Sequence, residues 1–503
     1  MLGIGQKAQA SNYQQQIRDM VSYINQHFIA EAPKDIYLNE SQEGIGGHTK
    51  GALLKEAIES AKSKKPISEN ILPITTTMLA LNSCIGNNTL ISGDVGTGKT
   101  RLASVIGSMV YQIPVEIFDW RKIVGSPGAT VNDIYATHDI AELNKGIDMA
   151  FLYLPFHMPY LIIDELNRFS ELEQNRIREG VANDVWNYAN HSWKIDKQVV
   201  VSAMNPDVYG GTFSLNENLV DNYSILLWPP TYNPIAHQHL VEHADEKIKE
   251  GLGLEDKVGE FFEFYKSHKN DAKAIKDKIS DLQQATVQEY ERRKIPIIKN
   301  GFVSEIKKEI SEIRFADEPL LFFYSTLSEI SQSTKFGENR FEDPRSDDEH
   351  DKRYLSTKVL RGLAGRFMKD WEMMSKGLAW YLGRDRVTVE DVKTAFVFTS
   401  AARINPEERF KQKVWNSQRS LPIRHAIAKQ VIDDSFKNYT DYTSADKSFE
   451  HVRKAILMIT ENELNAETIS EARKDLEMSD HPVARTIEEA LLCMQYESMQ
   501  NRK

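Results

Sequence analysis

Eight consecutive residues, Gly93-Asp94-Val95-Gly96-Thr97-Gly98-Lys99-Thr100, fit the pattern G-x-x-x-x-G-K-[ST]. Those residue types suit one task, the cradling of phosphate oxygens. Glycines let the backbone wrap close to an anion, and backbone N–H groups at the start of a following helix face it. A lysine then reaches the β- and γ-phosphates, and a hydroxyl holds Mg²⁺. Gly93 to Arg101 are therefore the expected nucleotide-binding residues: Gly93, Asp94, Val95, Gly96, Thr97, Gly98, Lys99, Thr100 and Arg101. The expected ligands are ATP and Mg²⁺.

Two further sites have the chemistry to act on a bound triphosphate. The apolar run Leu161-Ile162-Ile163 ends in Asp164-Glu165. Asp164 can bind Mg²⁺ together with Thr100, and Glu165 can orient and polarise an attacking water, because phosphoryl transfer depends on positioning and electrostatics. The run Gln198 to Met204 ends in Asn205-Pro206. The Asn205 amide can bridge the attacking water and the γ-phosphate. Standing alone, an Asn-Pro pair reads as a turn; in order after the two preceding motifs it reads as part of a site.

The elements that must position these residues are short buried strands alternating with helices. Five apolar runs read as strands: Thr89–Ser92, Val115–Asp119, Tyr160–Asp164, Val199–Ala203 and Ile225–Trp228. Continuous apolar runs are the mark of a parallel sheet covered on both faces, and such sheets bind ligands at the carboxyl ends of their strands. The expected fold class is α/β, a P-loop core with a five-stranded parallel sheet, followed by a helical lid and further helical segments. After the P-loop, Leu102, Val105, Ile106 and Met109 recur at helical spacing.

The chain has 503 residues, enough for two to four domains. An N-terminal helical segment is expected over 1–65, with a loop at Asn39 to Gly47, and the nucleotide-binding core over 66–230. A helical lid is expected over 231–404, carrying a charged helical insertion at about 240–353, and a helical region over 405–503. Within the lid, Ser331 to Lys352 reads as a loop, Leu355 to Leu382 as one long helix, and Thr388 as the cap of the next helix.

Together the P-loop, Asp164-Glu165-Leu166-Asn167-Arg168 and the stretch Met204 to Glu217 resemble the AAA+ ATPases, specifically the MoxR-like group related to CbbQ, NorQ and GvpN. The resemblance covers roughly 66–230 and, more weakly, 355–403. It implies that Asn205 is sensor 1 and that Arg366 is the sensor-2 arginine, with Arg361 nearly on the same face. It implies inserted elements at Trp120 to Asn144 and a hairpin at Trp186 to Lys197, both facing the remodelled partner. It implies a homo-oligomer, a hexameric ring, that remodels or matures a protein partner in a chaperone-like manner; the partner is expected to carry a von Willebrand factor A domain.

One position departs from that pattern. Where the family has an arginine finger after sensor 1, this chain has Leu219-Val220-Asp221-Asn222-Tyr223. An amide at Asn222 cannot supply the positive charge that stabilises the transition state. Arg168, Arg176 or Arg178 would have to act across a subunit interface, or hydrolysis would be slow and the chain a nucleotide-gated scaffold. The same motifs also resemble McrB-type GTPases, motors of nucleic-acid defence systems, although Asp207 falls one residue early for that pattern.

Composition limits the partners. The formal net charge of −11 argues against broad binding to a phosphate backbone, so no direct nucleic-acid partner is expected. The two cysteines, Cys84 and Cys493, stand in no metal-ligand spacing, which fits a reducing compartment. There is no apolar stretch of membrane-spanning length and no signal-peptide pattern in Met1 to Tyr13, so a cytoplasmic protein without a membrane span is expected.

Overall fold

The computed structural model describes residues 12–29, 72–206, 212–229, 254–299, 302–331, 365–417, 421–445, 448–461 and 482–500, with a few isolated positions between them. The expected loop at Asn39 to Gly47, most of that at Ser331 to Lys352, Arg361 and the stretch Asp207 to Gly211 lie outside the described residues. The chain divides into two compact units. The first takes the described residues within Met1–Ile36, Lys65–Glu312 and Trp380–Asp385, and the second those within Tyr37–Lys64, Ile313–Ala379 and Arg386–Lys503.

The first unit begins with α1 (Asn12–His27) and α2 (Ile74–Ile85), followed by β1 (Thr89–Ser92), α3 (Lys99–Tyr111), α4 (Val115–Arg121) and β2 (Ile123–Val124). Next come β3 (Ala136–His138), β4 (Ala150–Leu152), β5 (Tyr160–Asp164), α5 (Glu171–Asn183), β6 (Val185–Tyr188), β7 (His191–Lys194), β8 (Val199–Met204) and β9 (Ile225–Leu227). Among the described residues it ends with α6 (Glu255–His268), α7 (Ala272–Arg293) and α8 (Phe302–Glu312). Its centre is a five-stranded sheet in the order β2-β5-β8-β1-β9, with every pairing parallel. The fold is α/β, a parallel sheet flanked by helices with the P-loop sequence between β1 and α3, followed by helical segments. All six residues of β8 are buried, as expected of a central strand with both faces covered.

Four of the five expected strands form. Val115–Asp119 does not: it lies in α4, and the second strand of the sheet is the two-residue β2. A short apolar run cannot be told from a buried helical turn by periodicity alone. Here Pro114 stands at the helix N-cap and Glu116 in the first turn, where an acidic side chain complements the helix dipole. Val115, Ile117 and Phe118 are buried, and Trp120 emerges to stack on Phe262 at 5.7 Å between ring centres.

Two antiparallel pairs decorate this unit, β3 with β4 and β6 with β7. The hairpin expected at Trp186 to Lys197 is β6–β7, turning at Ala189 with φ +48°. Trp186 is core: it packs on Phe156 at 4.5 Å and on Tyr135 at 5.1 Å. A Cβ on Gly180 would sit 2.5 Å from its ring, so only glycine fits beneath it. Trp193 is half-buried.

The second unit contains β10 (Arg314–Phe315), α9 (Asp317–Ser331), α10 (Gly365–Tyr381), whose last two residues are grouped with the first unit, and β11 (Arg386–Val387). It continues with α11 (Val389–Ser400), α12 (Glu408–Ser417), α13 (Ile423–Ala445), α14 (Ser448–Glu461) and α15 (Pro482–Gln500). The helix expected from Leu355 starts only at Gly365; Val359 instead pairs with Pro406 in an isolated antiparallel bridge. Thr388 does cap α11, in a capping box with Asp391. Trp371 anchors the core of this unit against Phe323 and Phe396. Among the described residues no helix is long and apolar enough to cross a membrane.

Candidate nucleotide site

Three strand ends converge at the carboxyl edge of the sheet, where open α/β sheets bind ligands. β1 runs into the P-loop, β5 ends at Asp164, and β8 runs into Asn205. The loop is held by its glycines for two different reasons. Gly96 and Gly98 both have φ +78°, a left-handed conformation that strains other residues. At Gly93 the limit is space, because a Cβ would lie 2.3 Å from the Pro229 ring. Thr97 closes the loop by donating its hydroxyl to Asp94 O at 2.7 Å, and Val95 is exposed at the tip.

Lys99 opens α3 and is buried. Its ammonium donates to Gly93 O and Asp94 O, both at 2.7 Å, and to Asn205 Oδ1 at 3.2 Å. Burial pulls its pKa below the usual lysine value, while Asp164, Asp94 and Glu165 push the other way. Arg101, two residues on, pairs with Asp119 at 3.4 Å and lies over the Phe28 ring.

Thr100 donates its hydroxyl to Asp164 Oδ2 at 2.8 Å. Neighbouring ligands of an octahedral Mg²⁺ with bonds of about 2.1 Å stand about 3 Å apart. The separation and the hard oxygen donors of Thr100 and Asp164 therefore fit that ion. The second Asp164 oxygen accepts the Glu165 backbone N–H at 3.0 Å, which fixes the carboxylate plane.

Glu165 itself has φ +54° and ψ +42°. A non-glycine residue held there costs on the order of 1 kcal/mol or more, and such residues gather at functional sites. Its carboxylate pairs with Arg168 at 3.3 Å.

Three residues at this site carry no signal of their own in the sequence. Asn167 is fully buried and clasps the end of β8: it donates to Asn205 O at 2.8 Å and accepts from Asn205 N at 3.4 Å. Gly125 follows β2 and donates its N–H to Asp164 O at 2.8 Å; a Cβ there would lie 2.0 Å from Glu165 O. Lys122 places its ammonium 3.5 Å from Asp164 Oδ2, the oxygen that Thr100 also meets. Asn167 lies inside the quoted Asp-Glu-Leu-Asn-Arg run, where its pairing with the next strand end is visible only in three dimensions.

Arg366 is the second residue of α10, exposed, in the second unit. The Asn222 backbone carbonyl accepts from Asn88 Nδ2 at 3.2 Å, and its side-chain amide donates to Asn218 O at 2.9 Å, which engages that amide in its own turn. Of the three candidate arginines, Arg168 pairs with Glu165 and Arg176 with Glu173 at 2.8 Å. Arg178, half-buried on α5, makes no ion pair with a described residue.

No family model matches the sequence, and no curated protein does. Among solved structures the chain is similar to a proposed ATPase from Cytophaga hutchinsonii, with 16% identity and a TM-score of 0.46, over 78% of this chain and 98% of that one. A likeness so distant adds nothing to what the site geometry supports.

Proposed function

We propose that the chain is an AAA+ ATPase that binds ATP with Mg²⁺ and hydrolyses it to remodel a protein partner. The observation that carries this reading is the convergence of Lys99, Thr100, Asp164, Glu165 and Asn205 on the carboxyl ends of three adjacent parallel strands. Lys99 meets Asn205 at 3.2 Å and Thr100 meets Asp164 at 2.8 Å. The P-loop N–H groups and the Lys99 ammonium would bind the phosphates. Bound Mg²⁺ would neutralise charge on the phosphate oxygens, held by Thr100 and Asp164. Glu165, freed from Arg168, would orient the attacking water, with Asn205 as the second polar contact.

The MoxR-like motifs extend the reading to a hexameric ring whose lid, including Arg366, responds to the nucleotide. Arg178 is the candidate to supply the missing finger from a neighbouring subunit. Arg178→Ala should then lower turnover on the order of 100-fold or more while leaving ATP affinity within about twofold. Unchanged turnover would remove it from that role. The von Willebrand factor A partner and the cytoplasmic setting belong to the same proposal.

ATP binding to the wild type and to Lys99→Ala tests the site directly. Loss of charge-assisted hydrogen bonds worth about 3 kcal/mol predicts affinity lower on the order of 100-fold. Equal affinity in the two proteins would overturn the assignment. A second reading, a nucleotide-gated scaffold with slow hydrolysis, is favoured by the engagement of Asn222 in its own turn. ATP binding without turnover at any protein concentration would support it.

A further inference from the structure

The two antiparallel pairs of the first unit meet at a cluster that the nucleotide site does not use. His138 ends β3, His191 begins β7, and Asp148 lies on the connection between β3 and β4. Asp148 Oδ1 stands 3.2 Å from His138 Nδ1 and 3.1 Å from His191 Nε2. One ligand atom from each residue lies within 4.8 Å of the other two.

We infer that His138, Asp148 and His191 form a binding site for a divalent transition-metal ion of the Zn²⁺ class, clamping the β3–β4 pair to the β6–β7 hairpin. The spacing fits. Ligand atoms bound tetrahedrally at about 2.0–2.1 Å stand roughly 3.3 Å apart, close to the 3.1 and 3.2 Å between each imidazole nitrogen and the carboxylate oxygen. Two imidazoles and one carboxylate suit Zn²⁺, Co²⁺ or Ni²⁺ and do not suit Mg²⁺ or Ca²⁺, which take oxygen cages.

The surroundings hold the ligands in place. Asn190 donates to the other Asp148 oxygen at 3.3 Å, supporting the carboxylate from outside the set. The His191 ring stacks on Trp193 at 5.7 Å, and the His138 ring leans on Tyr188 at 4.9 Å. Among the described residues His138 Nδ1 is buried without a hydrogen-bond partner, its one polar contact being the Asp148 oxygen at ion-pair distance. A bound cation would give that nitrogen a ligand bond in place of the missing hydrogen bond. Three protein ligands leave a fourth position for water or for a side chain from another molecule.

The site is independent of the nucleotide reading, so each can fail alone. The test is Zn²⁺ binding to the full-length, nucleotide-free protein in excess Mg²⁺, by equilibrium dialysis with metal analysis. One tightly bound Zn²⁺ per chain is expected, with affinity reduced on the order of 100-fold or more in His138→Ala/His191→Ala. Zn²⁺ should raise the melting temperature of the wild type and not of that variant. On the wild type alone, Co²⁺ should give the visible absorption of a four-coordinate ion, and X-ray absorption should show imidazole ligands. Equal Zn²⁺ binding by wild type and double variant would overturn the proposal. So would Co²⁺ held without imidazole.

Discussion

Lys99 and Asn167 bear the sharpest consequences at the scale of single residues. Lys99 is buried, and its pKa is drawn below the ordinary lysine value. In the range between that lowered value and the ordinary one, the unbound site has released its proton while the unfolded chain still holds it. Folding stability from this residue therefore rises with pH across that window, while affinity for a triphosphate falls, because the neutral amine no longer attracts it. ATP affinity measured against pH should decline at a pH below the ordinary lysine range, and Lys99→Arg should flatten the decline. A decline identical in Lys99→Arg would assign it to another group. Asn167 acts at one remove. Asn167→Ala leaves the backbone of Asn205 without its clasp, at a cost of about 1–3 kcal/mol in stability. If the clasp positions Asn205, turnover should fall with ATP affinity nearly unchanged, and Asn167→Asp should recover only part of it. Equal losses in both quantities would mean that the asparagine is structural alone.

At the scale of elements, the sheet was legible where strands are long and apolar. Thr89–Ser92, Tyr160–Asp164 and Val199–Ala203 are continuous buried runs, and each ends on the residue types that do the chemistry. Val115–Asp119 misled because the apolar Val115, Ile117 and Phe118 bury equally well in a helix, and the edge strand that replaces it is only Ile123–Val124. The glycine that locks the Asp164-Glu165 turn was hidden for a related reason. Gly125 looks like one more loop glycine beside Ser126-Pro127-Gly128, yet a Cβ there would collide with Glu165 O. Gly125→Ala should destabilise the chain by about 1–3 kcal/mol and impair hydrolysis more than ATP binding; thermal denaturation paired with nucleotide titration checks both. The start of α2 offers a second example. Glu31 is buried and accepts from Thr75 N, Thr76 N and the Thr76 hydroxyl at 2.8–3.0 Å. Nothing in the sequence links positions more than forty apart, so this cap could not be read there. Glu31→Ala should cost about 1–2 kcal/mol, as loss of a helix cap does. A melting temperature equal to wild type would contradict it.

At the scale of the whole molecule, two compact units share one chain, and the nucleotide site with its flanking pairs lies in the first. The acidic balance of the chain predicts that duplex DNA neither binds strongly nor stimulates turnover. Stimulation by DNA would favour the McrB-like alternative. The proposed function requires that Lys99, Thr100, Asp164, Glu165 and Asn205 form a working ATPase site completed by a second copy of the chain. The direct measurement is steady-state hydrolysis of ATP and GTP across a range of protein concentrations, with Glu165→Gln alongside. The expected result is Mg²⁺-dependent turnover that prefers ATP, rises per subunit with concentration, and disappears in Glu165→Gln although that protein still binds ATP. Turnover unchanged by Glu165→Gln, or none in the wild type at any concentration, would contradict it.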